Sequence, residues 1–141
     1  MSHRKSSPAD ILSPIKELMG FMKTGDPHHL QNVFAPSDVI ILDSFLPYTF
    51  IGAEAAESWA KAFCHSMKAR RVLDLNYELG RPQLVTFSVD SAYCSVPVNW
   101  TGSSKGKRFL EVGAMTVVFS RISERWAIRN LSWAVVHYSL T

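Results

Sequence analysis

Two long runs near the end of the chain are rich in β-branched and aromatic residues and are separated by a short polar segment. The first run contains FLEVGAMTVVFSR, the second reads WAIRNLSWAVVHY, and Ser123, Glu124 and Arg125 lie between them. Apolar runs broken by a polar turn predict a long antiparallel hairpin over residues 109–138. Both faces of both runs carry apolar groups, so we expect each face of the hairpin to be covered.

Apolar residues recur at helical spacing in the first half of the chain, which predicts three helices. The first begins at Ser7 and Pro8, a favourable N-cap and first-turn pair, and ends at Gly25. A second, short helix begins at Asp26. The third spans residues 53–68, and its apolar side carries Ala55, Trp59, Phe63 and Met67.

Further short β-rich segments complete the predicted sheet. They cover residues 38–43, 48–51, 72–79, 84–89 and 92–101. Helices segregated to one side of an antiparallel sheet make an α+β domain. We predict one such domain over residues 8–141, after a disordered tail at residues 1–7. A curved sheet wrapped on three helices leaves a cone-shaped cavity between the two layers.

Composition excludes several classes of function. The net charge is only +3, and no basic stripe alternates with aromatic residues, so nucleic-acid binding is not expected. No apolar run is long enough to span a bilayer, and the polar N-terminus has no signal-peptide pattern. The two cysteines, Cys64 and Cys94, lie far apart and favour a reducing compartment. We therefore expect a cytoplasmic protein. Its histidines and cysteines have no metal-ligand spacing, so no metal is expected.

Three stretches resemble the nuclear-transport-factor-2-like (NTF2-like) superfamily, which includes ketosteroid isomerases and SnoaL-like polyketide cyclases. The first is Gly25-Asp26 followed by Phe34-Ala35. The second is VIILD, ending at Asp43, then Gly52 and the alanine-rich helix with Trp59. The third is WAIRNLSW, similar to the closing strand of the family. The resemblance covers nearly the whole chain and implies the cone-shaped fold, but this superfamily hosts enzymes, binding proteins and assembly modules.

Asp43 is the strongest candidate for chemistry, because it ends an otherwise apolar strand. The resemblance to ketosteroid isomerases implies that a carboxylate here is a general base, which moves a proton on a carbon beside a carbonyl group. Such a base works best in an apolar site that raises its pKa. The alternative is that the Asp43 side chain caps the turn it forms with Ser44.

The resemblance fails at the oxyanion donors. The corresponding positions fall near Leu18 and at Met115, and neither side chain can stabilise an enolate. A steroid isomerase in the strict sense is therefore not expected. Tyr77 could supply a hydroxyl from another wall, although a buried tyrosine is more often part of a core. The residues expected to contact a ligand are Trp59, Phe63, Tyr77, Met115, Asn130 and Ser132.

Strict alternation along the second run puts Asn130 and Ser132 on the face of Trp126 and Ile128, hence towards the cavity. Their alternative role is to hydrogen-bond each other or a helix end. The same alternation puts Leu131 and Trp133 on the outer face. With Val118, Leu131 and Trp133 form an apolar surface that predicts a homodimer interface. The alternative is that they are isolated exposed apolar residues.

Three functions are compatible with this pattern. The first is a cofactor-independent isomerase or cyclase that acts on a small hydrophobic, ring-containing molecule with Asp43 as base. The second is a non-catalytic binder of such a molecule, and the third is a dimerisation module with a vestigial cavity. Epoxide hydrolysis by an Asp-Arg-Asp relay is not favoured, because no second inward aspartate is evident.

Overall fold

The structure is a computed structural model that describes residues 6–141. Of the predicted disordered tail, residues 1–5 lie outside the described residues. The hydroxyl of Ser6 accepts a hydrogen bond from the indole Nε1 of Trp126 at 3.1 Å. No helix in the described part of the chain is both long and apolar enough to cross a bilayer.

Two α-helices and one short 3-10 helix form in the described residues, where three helices were predicted. Helix α1 spans Pro8–Thr24, and the backbone N–H of Ser7 donates to the carboxylate of Asp10 at 2.8 Å. Gly25 ends the helix in the left-handed conformation, with φ of 76°. Helix α2 spans Ala55–Ala69.

The predicted second helix is the part of this prediction that is wrong. Residues Pro27–Leu30 make a single 3-10 turn, in which the carboxylate of Asp26 accepts from the backbone N–H of His28. Asn32 then adopts a φ of 63°, which a helix cannot continue through. The following backbone pairs with the last strand instead, because the N–H of Ala35 donates to the carbonyl of Ile128 at 2.8 Å.

Seven strands build one curved sheet. Their bounds are β1 Val39–Leu42, β2 Thr49–Gly52, β3 Val72–Leu79, β4 Gln83–Phe87, β5 Ser91–Ser104, β6 Lys107–Ile122 and β7 Arg125–Leu140. The strand order is β2-β1-β7-β6-β5-β3, and β4 also pairs with β5. The β1–β7 pair is parallel and the other pairs are antiparallel. This is the predicted α+β architecture.

The predicted hairpin is confirmed as strands β6 and β7. Ser123 and Glu124 both have positive φ, 50° and 66°, as the tight turn of a two-residue hairpin requires. The register then shifts at two points. At the first, Phe119 pairs with Ile128, whereas Val118 pairs with Asn130; at the second, Gly113 pairs with Val135, whereas Val112 pairs with His137. Arg129 is therefore the extra residue of a β-bulge.

This bulge reverses the face assignment beyond it. Met115 and Val117 pair with Trp133 and Leu131, and cross-strand partners share a face. Leu131 is only 4% exposed. The prediction that Leu131 and Trp133 lie on the outer face is therefore wrong. Asn130 and Ser132 pair with Val118 and Thr116 on the outer face, so the prediction that they point into the cavity is wrong as well.

Both helices pack on the inner face of the sheet, where the core lies. Helix α1 contributes Ile11, Ile15, Leu18 and Met19, each fully buried. Their spacing of three and four residues is the helical period that the sequence shows. Trp59 of α2 is also fully buried, and its ring packs against Phe21 and Phe63 with centroids 5.6 and 5.7 Å away.

Candidate functional site

A cavity of about 350 Å³ opens between the end of α2, the loop after β1, and the inner face of the sheet. Its lining comes from every layer of the fold. The lining residues are Met22, Asp43, Ser44, Phe45, Phe63, Ser66, Met67, Arg70, Leu75, Trp100, Phe109, Glu111, Trp133, Val135 and Tyr138. Aromatic and aliphatic side chains dominate, as is typical of small-molecule sites. Only Asp43, Arg70 and Glu111 carry full charges among them.

Asp43 lies directly after β1, where its side chain caps the turn with Ser44 and also faces the cavity. One carboxylate oxygen, Oδ1, accepts the backbone N–H of Ser44 at 2.7 Å, which fixes the turn. The other, Oδ2, accepts the indole N–H of Trp59 at 2.9 Å. The side chain also lines the cavity. Capping the turn and facing a ligand are therefore compatible.

The environment of Asp43 raises its pKa. The cause is burial, which removes water from the charged carboxylate, and the bonds from Trp59 and Ser44 oppose this effect. Trp59 does not line the cavity. It lies behind Asp43 and orients the carboxylate from within the core.

Glu111 is a second inward carboxylate, which was not predicted from the sequence. It lies on β6, and its Oε2 accepts the indole N–H of Trp133 at 3.1 Å. Burial raises the pKa of Glu111 and the charge of Asp43 adds to this, while the charge of Arg70 and the bond from Trp133 oppose it. Its position is two residues before Gly113 and four before Met115. The alternation that turned Met115 inward also predicts Glu111 inward, so this signal was present in the sequence.

Arg70 is the one cation among the cavity-lining residues. It is the C-cap of α2, and its backbone carbonyl accepts the hydroxyl of Ser104 at 2.7 Å. Its guanidinium lies over the ring of Phe109, with 5.6 Å between Cζ and the ring centroid. Among the described residues, no ion pair within 4.0 Å joins Arg70 to Asp43 or Glu111.

The predicted ligand-contacting residues divide into two groups. Asp43 and Phe63 line the cavity, and Trp59 supports Asp43 from behind. Tyr77 packs against Trp100 with ring centroids 5.5 Å apart, and Met115 is 3% exposed within the core. Neither of these, nor Asn130 or Ser132 on the outer face, is among the lining residues.

The two cysteines are unpaired; Cys94 is buried and Cys64 is exposed. Burial raises the pKa of Cys94 to about 11, so this thiol is protonated at neutral pH. No group of three or more His, Cys, Asp or Glu side chains that could hold a metal ion occurs within residues 6–141.

The fold closely matches several solved structures at low sequence identity. A hexachlorocyclohexane dehydrochlorinase (LinA type 2) superimposes with a TM-score of 0.80 at 15% identity, covering 94% of this chain and 87% of the other. A protein predicted to be a ketosteroid isomerase, from Shewanella frigidimarina, gives 0.67 at 20% identity, covering 86% and 91%. An NTF2-like protein of unknown function from Pseudomonas putida gives 0.70 at 16% identity, covering 94% and 89%.

These matches confirm the resemblance seen in the sequence. The chain has the fold of the NTF2-like superfamily. No protein-family model and no curated protein sequence matches it. The TM-scores establish the fold, while identities this low do not define the chemistry, which depends on the residues of the cavity.

Proposed function

We propose that this protein binds a small hydrophobic, ring-containing molecule in the cavity and that Asp43 removes a proton from one of its carbon atoms. The reaction is of the isomerase type and needs no cofactor. Asp43 takes a proton from a carbon made acidic by a neighbouring electron-withdrawing group, and it returns a proton to the same molecule.

One observation carries the proposal: the half-buried Asp43 carboxylate lines an apolar cavity while its rear is held by Trp59. A carboxylate in water is a weak base, and loss of water raises its pKa towards the range useful for catalysis. The hydrogen bond from Trp59 fixes the side-chain rotamer, which keeps the base aimed at the bound ligand.

The size of the cavity and the related structures support the same class of ligand. A volume of about 350 Å³ is at the lower end of the roughly 300–1,000 Å³ of ligand pockets, which suits a molecule of one or two rings. The names of the dehydrochlorinase and the ketosteroid isomerase both refer to ring compounds, hexachlorocyclohexane and a ketosteroid.

Proton exchange tests the proposal without knowledge of the natural product. The protein is incubated in D₂O with a set of cyclic ketones, and exchange of the hydrogens beside the carbonyl is followed by NMR. We expect exchange with the wild type and none above background with Asp43→Asn. Glu57→Gln, which removes an exposed carboxylate on α2 paired with Lys61, is the matched control. Full exchange by Asp43→Asn would rule out Asp43 as the base.

The same experiment separates catalysis from binding alone. Ligands that protect the wild type against thermal unfolding but show no exchange would identify a non-catalytic binding protein. In that case Asp43 orients the ligand, and Asp43→Asn weakens binding with no reaction to abolish.

We also propose that the outer face of the sheet forms a homodimer. Leu131 and Trp133 face inward and cannot form this interface. The candidate surface is instead a row across four neighbouring strands, formed by Ile51, Ile40, Asn130 and Val118. Ile40 and Ile51 are 37% and 70% exposed, which supports a partner on this face. Ile40→Glu should halve the mass measured by light scattering, while Val89→Glu, at an exposed apolar residue between β4 and β5, should not. A monomeric wild type, or a dimeric Ile40→Glu, would contradict this interface.

A further inference from the structure

The cavity contains two carboxylates and a wall of aromatic rings. Asp43 and Glu111 each accept one indole N–H, from Trp59 and Trp133. The aromatic lining residues are Phe45, Phe63, Trp100, Phe109, Trp133 and Tyr138. Aromatic faces attract organic cations, and carboxylates attract them more strongly. Arg70 is the only cation among the residues lining this space.

Glu111 retains an oxygen that is open to the cavity. Its Oε2 accepts the indole N–H of Trp133, while no protein donor within residues 6–141 is bonded to Oε1. No buried side-chain oxygen or nitrogen in the described residues lacks a partner, so the unbonded Oε1 is not fully buried, and Glu111 lines the cavity. An ionised carboxylate only accepts hydrogen bonds, so a ligand group that bonds Oε1 must be a donor.

We propose that the ligand of this cavity is a ring-containing amine, bound as its ammonium form with the N–H groups on Glu111 and the cation against the aromatic wall. This inference rests on the binding part of the proposed function, and it identifies the chemical class of the ligand. An ammonium group satisfies Oε1, and it supplies the positive charge that two desolvated carboxylates favour.

The same geometry fits the proposed chemistry. The ammonium group anchors one end of the molecule, while the acidity of the reacting carbon comes from a separate electron-withdrawing group, such as a carbonyl. Glu111 then holds the cationic end of the molecule while Asp43 faces the carbon that loses its proton. Glu111 is the specificity residue in this arrangement, and it takes no part in the proton transfer.

Binding of an ammonium ion should release a proton. The charged and titratable groups around Glu111 are Asp43 from the loop after β1, Arg70 at the end of α2, and Tyr138, its cross-strand partner on β7. Burial raises the pKa of Glu111 and the charge of Asp43 adds to this, so Glu111 keeps its proton to a higher pH than an ordinary glutamate does. A cation beside the carboxylate lowers that pKa, and the proton leaves.

Calorimetry with benzylamine and its neutral isostere, benzyl alcohol, tests the inference. Titrations in two buffers of different ionisation enthalpy give the number of protons released. We expect benzylamine to bind more tightly than benzyl alcohol and to release more protons in acidic than in alkaline buffer. Glu111→Gln should weaken benzylamine binding about 10- to 100-fold and abolish the release. Glu57→Gln should change neither quantity.

The outcomes distinguish this inference from the proposed function. If benzyl alcohol binds as tightly as benzylamine, the amine inference is overturned and a neutral ligand in the cavity still stands. If benzylamine binds without proton release, or Glu111→Gln binds it normally, Glu111 is not its receptor and the inference fails. If neither benzylamine nor benzyl alcohol binds, the amine inference fails. The exchange experiment with cyclic ketones then decides whether the cavity binds ring compounds at all.

Discussion

Replacing Leu131 by alanine tests the bulge that places this residue inside the fold. Leu131 is 4% exposed and pairs with the fully buried Val117. The change removes about three methylene groups, worth roughly 0.8 kcal/mol each, and leaves a cavity. We therefore expect the free energy of unfolding to fall by about 2.5–5 kcal/mol. Strict alternation would instead put Leu131 on the outer face, where substitutions usually cost within about 0.5 kcal/mol.

The assay is urea denaturation followed by tryptophan emission, at one fixed protein concentration. Asn130→Ala is the matched control, because it lies one residue away on the other face of the same strand. It should stay within about 0.5 kcal/mol of the wild type. A Leu131→Ala protein as stable as Asn130→Ala would refute the register and, with it, the placement of Trp133 beside Glu111.

Two further predictions concern the site. A Cβ on Gly113 would lie 2.2 Å from the carbonyl oxygen of Ala134 and 2.7 Å from the ring of Trp133. Gly113→Ala should therefore destabilise the fold by about 1–3 kcal/mol and weaken benzylamine binding. A variant with the wild-type free energy of unfolding in urea would contradict this close approach. Burial raises the pKa of Asp43, so its contribution to stability is full below the ordinary pKa of 3.8 and is lost as pH rises through the folded value. Asp43→Asn has no carboxylate to ionise, so its free energy of unfolding relative to that of the wild type should rise from acid to neutral pH in urea denaturation. A difference that does not change with pH would show that the pKa of Asp43 is not raised.

The periodic segments of this fold could be predicted because local patterns determine them. Helix α1 follows from its Ser7–Pro8 start, its three- and four-residue apolar spacing and Gly25. The hairpin of β6 and β7 follows from two β-rich runs around a polar turn. The strand-end position of Asp43 follows in the same way, since an apolar run stops at one acid.

The parts that were mispredicted depend on pairing between distant segments. Nothing in WAIRNLSW marks Arg129 as the extra residue, because the bulge is defined by the register against β6. In the structure the Nη1 of Arg129 donates to the carbonyl of Ser37 and lies 4.0 Å from the carboxylate of Asp38, so this side chain contacts the segment before β1. A one-residue shift of this kind moves the following side chains to the opposite face, here those of residues 130–135, until the second shift at Val136.

The cavity itself could not be predicted from any one stretch, since Asp43, Arg70 and Glu111 come from a loop, a helix end and a strand. What links them is that both carboxylates are held by tryptophans whose rings belong to the packed interior. An indole needs a partner for its N–H when it is buried, and a buried carboxylate needs a donor. Each tryptophan–carboxylate pair therefore satisfies the hydrogen bonds of two buried groups and orients the carboxylate in the cavity. A substitution that loosens either ring should lower both the stability of the fold and the affinity for a ligand.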